Sequence, residues 1–147
     1  MISIIGAGPA GSYTAYLLAK AGKKVQLFEK KKEIGIPVQC TGLVTESIKQ
    51  FLELKKEFIK NKITKVKVNS KNNSIIFNLR HPELVLDREK FDKHLANLAI
   101  KAGAKLYPSH KFIQKQNNQL IFKTEKGIKK IKTDILIGAD GPGSKVS

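Results

Sequence analysis

Gly6-Ala7-Gly8-Pro9-Ala10-Gly11 holds the most specific chemical pattern in this chain of 147 residues. The short apolar run Ile2 to Ile5 enters the glycines as a buried parallel strand would. Beyond them, Ala10, Thr14, Leu17, Leu18 and Ala21 fall at helical spacing on one face, and Gly22 sits where a left-handed cap would end the helix. A second strand, Val25 to Phe28, ends at Glu29. In such a unit Gly6 permits the turn, Gly8 lets the backbone approach a pyrophosphate, and Gly11 lets helix and strand pack closely. The N–H groups of the helix N-terminus are then free for the anion. Glu29 would accept hydrogen bonds from the adenosine ribose, and a carboxylate there disfavours a 2′-phosphate, which points to FAD or NAD. A glycine turn with a purely structural task is the alternative.

Other residues of chemical interest stand apart in sequence. Cys40, the only cysteine, lies in Gly35-Ile36-Pro37-Val38-Gln39-Cys40-Thr41-Gly42. By residue type alone it reads as a buried, inert thiol, since free cysteines are among the most buried residues. Arg88 occupies the first turn of a helix, where a cation opposes the macrodipole and hints at an anionic or polar partner. A surface arginine covering apolar neighbours with its stem is the alternative. Asp140-Gly141 ends an apolar run, Ile135 to Ala139, where a doubly wound sheet binds its ligand; a simple turn is the other explanation.

Composition bounds the possible partners. The net charge is +16, from 28 basic and 12 acidic residues, but only Arg80 and Arg88 of those 28 are arginines. Arginine is the usual residue for bidentate phosphate reading, so the lysine excess reads first as a solvated surface and second as attraction to anionic lipid or nucleic acid. The aromatic-plus-basic pattern of a single-strand binder is missing, so no specific nucleic-acid partner is expected. One cysteine excludes an internal disulfide, and His81, His94 and His110 lack metal-ligand spacing, so no metal site is expected. The N-terminus lacks the features of a signal peptide, and no run approaches a membrane span. A cytoplasmic location follows as the expectation, with any membrane contact peripheral.

The remaining elements must position these groups. Leu43, Ile48, Phe51, Leu52 and Phe58 predict a helix after the cysteine loop, with Thr45 as its N-cap. Residues 63–68 and 74–80 predict a hairpin with one wet face, and 84–86 a further short strand. Asp87 then caps a helix whose buried face is Phe91, Leu95, Leu98, Ala99 and Ala102, ended by Gly103. A strand near Leu106 precedes a β-meander over 110–116, 119–125 and 128–133, after which the chain returns through the strand before Asp140.

Together, "GAGPAG", "FEKKKEIG", "PVQCTG", "LDREKFDKHLA" and "ILIGADGPGSKV" resemble, in the same order, the FAD-dependent geranylgeranyl reductase family. Its larger group of flavoproteins includes the aromatic hydroxylases. The glycine and GADG motifs are shared across that group, whereas PVQCTG is what resembles the reductases in particular. The resemblance implies an α/β, Rossmann-like FAD-binding fold with a parallel sheet and a β-meander crossover. It also implies a partial antiparallel hairpin of a substrate domain. Residues 1–147 would be a truncated FAD-binding domain, with 62–86 contributing strands of that incomplete second domain. By the same resemblance Gly6, Gly8, Ala10, Gly11, Glu29, Lys30, Cys40, Thr41, Gly42, Arg88, Phe112, Asp140 and Gly141 would contact FAD. Cys40 would lie along the flavin ring, a candidate for tuning or protonating the site.

The activity so implied is reduction of carbon–carbon double bonds in geranylgeranyl lipid chains. Members of the family continue past this point with a second FAD motif and most of a substrate-binding sheet. The chain is therefore expected to act only with a C-terminal partner chain. An aromatic hydroxylase-like monooxygenase and a non-catalytic dinucleotide-binding or basic surface-binding module are the alternatives.

Overall fold

A computed structural model describes residues 1–146. Two compact units form: residues 1–37 with the chain from 92 onward, and residues 38–91.

The first unit is built on a four-stranded parallel sheet. β1 (Ile2–Ile5) leads through the glycine turn into α1 (Pro9–Lys20) and then β2 (Val25–Phe28). Two further strands complete the sheet, here called βA (Lys105–Tyr107) and βB (Ile135–Gly138), in the spatial order βB-β1-β2-βA. Strands are therefore added on one side of β1 first and on its other side last. Such a reversal opens a crevice at the carboxyl ends of β1 and βB, where doubly wound sheets bind ligands.

Gly22, at φ +75°, follows the end of α1 as the sequence predicts. The buried face of α1 differs from expectation: Gly11, Ser12, Ala15 and Ala19 are buried, while Leu17 is 47% exposed and Ala10 and Ala21 are exposed. Small side chains let the helix axis approach the sheet, and the hydroxyl of Ser12 is satisfied by donating to the Ala7 carbonyl at 3.0 Å. Of the predicted stripe only Thr14 and Leu18 are half-buried, and Leu18 packs against the core.

One face of the parallel sheet packs Ile4, Val25 and Leu27 with Ala15 and Ala19 of α1 and with Ala96 and Ala99 of α2 (Arg88–Lys101). Along α2, Phe91, Leu95 and Ala99 are buried as predicted, Leu98 and Ala102 are half-buried, and Asp92 and Ala96 are buried as well. A second cluster joins Ile5 and Phe28 to Phe112, Leu120 and Phe122 of the antiparallel meander, whose strands are Lys111–Gln116, Gln119–Thr124 and Gly127–Lys132. Phe28 stacks on Phe122 at 4.4 Å between ring centroids.

The second unit is a three-stranded antiparallel sheet. Its strands are β3 (Leu43–Val44), β4 (Ile59–Asn69) and β5 (Ser74–Leu86), in the order β3-β5-β4. The helix predicted after the cysteine loop does not form. Leu43 and Val44 pair instead with Val85 and Leu84, and only short 3₁₀ turns occur at Glu46–Gln50 and Lys56–Phe58. Of the five apolar residues proposed for that helix only Phe58 is buried, so no continuous apolar stripe is available to hold a helix. Thr45 precedes the first 3₁₀ turn without a side-chain cap.

The short strand predicted at 84–86 is continuous with β5. Its register against β4 jumps from Lys65↔Asn78 to Ile63↔Glu83, so residues 79–82 bulge. Pro82 falls in that bulge, where its missing N–H breaks no ladder bond.

Candidate functional site

Gly6 leaves β1 at φ +100°, and a Cβ there would stand 2.3 Å from the Ala139 carbonyl oxygen. The turn is thus pressed against the end of βB, and only glycine fits. The backbone is also tied: Gly6 N–H donates to Phe28 O at 2.7 Å and Ala139 N–H to Ile5 O at 2.8 Å. A Cβ on Gly11 would lie 1.9 Å from Gly6 O, whereas a Cβ on Gly8 would meet nothing within 4 Å. Two glycines are filled by protein and the middle one faces open space, at the N-cap of α1 with Pro9 in its first turn. That arrangement fits an external group drawn close to backbone N–H donors, the geometry of anion binding at a helix start.

Glu29 is buried, and its two oxygens serve different segments. Oε2 accepts from Ala7 N–H at 2.8 Å, and Oε1 accepts from Lys31 N–H at 3.0 Å. A carboxylate offers about four lone-pair sites, so each oxygen retains capacity for a ligand hydroxyl. The link to Ala7, inside the glycine turn, was not legible in sequence. Lys30 beside it is exposed.

Asp140 accepts from the Ser144 hydroxyl at 2.7 Å and from Lys145 N–H at 2.8 Å. Partial burial raises its pKa, but these two donors and the charge of Lys30 outweigh that and hold the carboxyl below its ordinary range. Gly141, at φ +83°, lets the chain turn after it. Phe112 is buried against Phe122, with ring centroids 5.8 Å apart, so its side chain belongs to the core and leaves only its backbone for a ligand.

Within the 38–91 unit, Cys40, Gly42 and Arg88 come together. Gly42, at φ +79°, would place a Cβ 2.4 Å from Leu86 O and 3.2 Å from Arg88 Cγ, and its carbonyl accepts from Leu86 N–H at 2.9 Å. The loop is thereby pinned to the end of β5, just before Arg88. Cys40 is exposed, contrary to the buried thiol that residue type alone suggests. The Gly42 N–H holds its pKa below the ordinary thiol range, with the Arg88 guanidinium and Thr41 adding to the effect. Asp87 caps α2 through its Oδ1, which accepts from Lys90 N–H at 3.2 Å.

Residues 4–41 match the model of the NAD(P)-binding Rossmann-like domain family. An uncharacterised protein in the nifH2 5′ region of Methanosarcina barkeri is 33% identical over 99% of this chain and 84% of its own length. The digeranylgeranylglycerophospholipid reductase of Methanocaldococcus jannaschii is 35% identical over 99% of this chain and 39% of its own. A geranylgeranyl bacteriochlorophyll reductase-like protein from Thermoplasma acidophilum, known by crystal structure, superimposes with a TM-score of 0.82 at 30% identity, covering 95% of this chain and 38% of that one. The chain belongs to the geranylgeranyl reductase family. It spans about two-fifths of the length of the reductases that it matches. For this family member the α/β fold with a Rossmann-like parallel sheet and antiparallel sheets stands as the sequence suggests. No helix among the described residues is long and apolar enough to cross a membrane.

Proposed function

We propose that this chain is the FAD-holding part of an oxidoreductase that reduces carbon–carbon double bonds of isoprenoid lipid chains, completed by protein equivalent to the rest of its long relatives. The observation that carries this is the contrast among the three glycines: Gly6 and Gly11 are closed by backbone, while Gly8 opens on free space at the start of α1. When bound, FAD supplies the hydride chemistry, and the protein's own task is holding and orientation.

In this role the backbone at Gly8 and Ala10 receives the pyrophosphate. Glu29 takes the ribose hydroxyls while its bond to Ala7 keeps the turn in shape. Lys30, Asp140, Gly141 and the backbone of Phe112 are further FAD contacts carried over from the family. Cys40, Thr41, Gly42 and Arg88 are its flavin contacts, and the Cys40 thiol, whose pKa the Gly42 N–H lowers, is the proton donor in this reading.

Thermal unfolding of the full chain with FAD, NAD or NADP⁺ tests the proposal. A ligand bound only by the folded state stabilises it by about 2.7 kcal/mol at a hundred times Kd, and so raises the midpoint. FAD is expected to stabilise the chain and NADP⁺, with its 2′-phosphate facing Glu29, is not. Equal effects, or none with FAD, contradict it.

A further inference from the structure

The ring of His110 stands among Phe28, Tyr107 and Phe122, with centroids 5.9, 5.6 and 5.8 Å away. Its Nδ1 lies 2.7 Å from the Pro108 carbonyl oxygen, which can only accept, so Nδ1 donates. Nε2 is buried and, among the described residues, has no hydrogen-bond partner. A polar atom left so is costly, and a phenylalanine ring in the same aromatic cluster would avoid the cost. Packing therefore does not account for the imidazole, whereas the Nδ1 bond does. That bond spans Ser109, at φ +54° in the left-handed region that non-glycine residues seldom adopt. From the turn so closed, two consecutive N–H groups reach the chain that leaves β2: His110 N–H donates to Glu29 O at 2.8 Å and Ser109 N–H to Lys31 O at 3.0 Å. Glu29 N–H donates to Tyr107 O at 3.0 Å. Residues 107–110 thus grip the main chain of Glu29 through both its N–H and its carbonyl, and its carboxylate reaches Ala7 N–H at 2.8 Å and Lys31 N–H at 3.0 Å.

We propose that His110 is a positioning residue of the nucleotide site: its ring bond to Pro108 holds the turn that fixes Glu29 where the carboxylate meets both the glycine turn and the ribose. It acts through Glu29 and not on the ligand, and it rests on the reading of Glu29 as the ribose acceptor. A ring that only filled space would rank phenylalanine above asparagine in every measurement. A positioning ring ranks them in opposite orders in two. Asparagine carries a donor nitrogen on Cγ, as histidine does, but lacks the ring; phenylalanine keeps a ring and lacks the donor.

The test compares the full chain with His110→Phe and His110→Asn in urea unfolding, FAD titration and amide hydrogen exchange, the exchange of Ala7 and Lys31 N–H being measured against that of Ile4 N–H in β1. His110→Phe should unfold at the parent's urea concentration or above it. It should nevertheless bind FAD about fivefold or more weakly, with Ala7 and Lys31 N–H exchanging faster by a similar factor. His110→Asn should unfold at lower urea and, while folded, keep FAD affinity and the protection of both amides near the parent's. Affinity and protection that follow stability, intact in His110→Phe and lost in His110→Asn, overturn the proposal. A parent chain that binds no FAD would sink the flavin reading of the site, and the two amides would still decide the role of His110: faster exchange in His110→Phe supports it, and unchanged exchange overturns it. Should one variant not fold, the other decides, since parent-like protection in His110→Phe or lost protection in His110→Asn each contradicts the assignment.

Discussion

Gly11 sits so close to Gly6 that a Cβ on the first would stand 1.9 Å from the carbonyl oxygen of the second. The obstructing atom is backbone and cannot rotate away. Gly11→Ala should therefore destabilise the chain by on the order of 3 kcal/mol, read from urea unfolding. Gly8→Ala, at φ −70° with open space around it, should unfold like the parent while binding FAD more weakly. Equal stability losses in the two variants would contradict the division of labour between these glycines.

Glu29 links the same turn to the end of β2. Removing it leaves the N–H groups of Ala7 and Lys31 without a carboxylate, one of them buried. Glu29→Ala should cost about 2 kcal/mol in urea unfolding even without nucleotide. Glu29→Gln, which keeps an acceptor oxygen, should cost less. A variant as stable as the parent would assign the residue to the ligand alone.

This double role marks where the sequence is readable and where it is not. The strand, glycine turn, helix and second strand are legible because each depends on local periodicity and on glycines within a few residues. The buried stripe of α1 is not, because close helix–sheet approach favours Gly11, Ala15 and Ala19 over the larger Leu17. The segment after Cys40 suggested a helix from its spacing, but pairing with Leu84 and Val85 took Leu43 and Val44 into a strand. The meeting of Cys40 with Arg88 depends on β3 docking at the end of β5, a long-range contact that no local pattern encodes.

Cys40 should react with iodoacetamide at lower pH than a free cysteine, since the Gly42 N–H and Arg88 favour its thiolate. The thiolate fraction grows as pH rises through a depressed pKa, so the rate profile is displaced to acid. Arg88→Gln should return it toward the ordinary range of about 8.5. Saturating FAD should slow the reaction. A profile matching glutathione in both proteins would contradict the assignment.

Asp87 gives a prediction about acid stability. The N–H of Lys90 holds its carboxyl below the ordinary range, and the Lys60 ammonium at 3.3 Å adds to this. A depressed folded pKa contributes stability above the unfolded value, about 3.9, that is lost as pH falls through the folded one. Asp87→Ala should cost about 1 kcal/mol at neutral pH. The gap from the parent should close on acidification. A gap that persists in acid would mean that the cap acts through shape and not charge.

The most direct measurement is a fluorescence titration of the purified full chain with FAD, repeated with Glu29→Ala and Gly8→Ala. The account predicts saturable quenching at one FAD per chain, with both variants shifted to higher FAD concentration. A folded parent chain that leaves FAD fluorescence unchanged, or variants that bind as tightly as the parent, would contradict it.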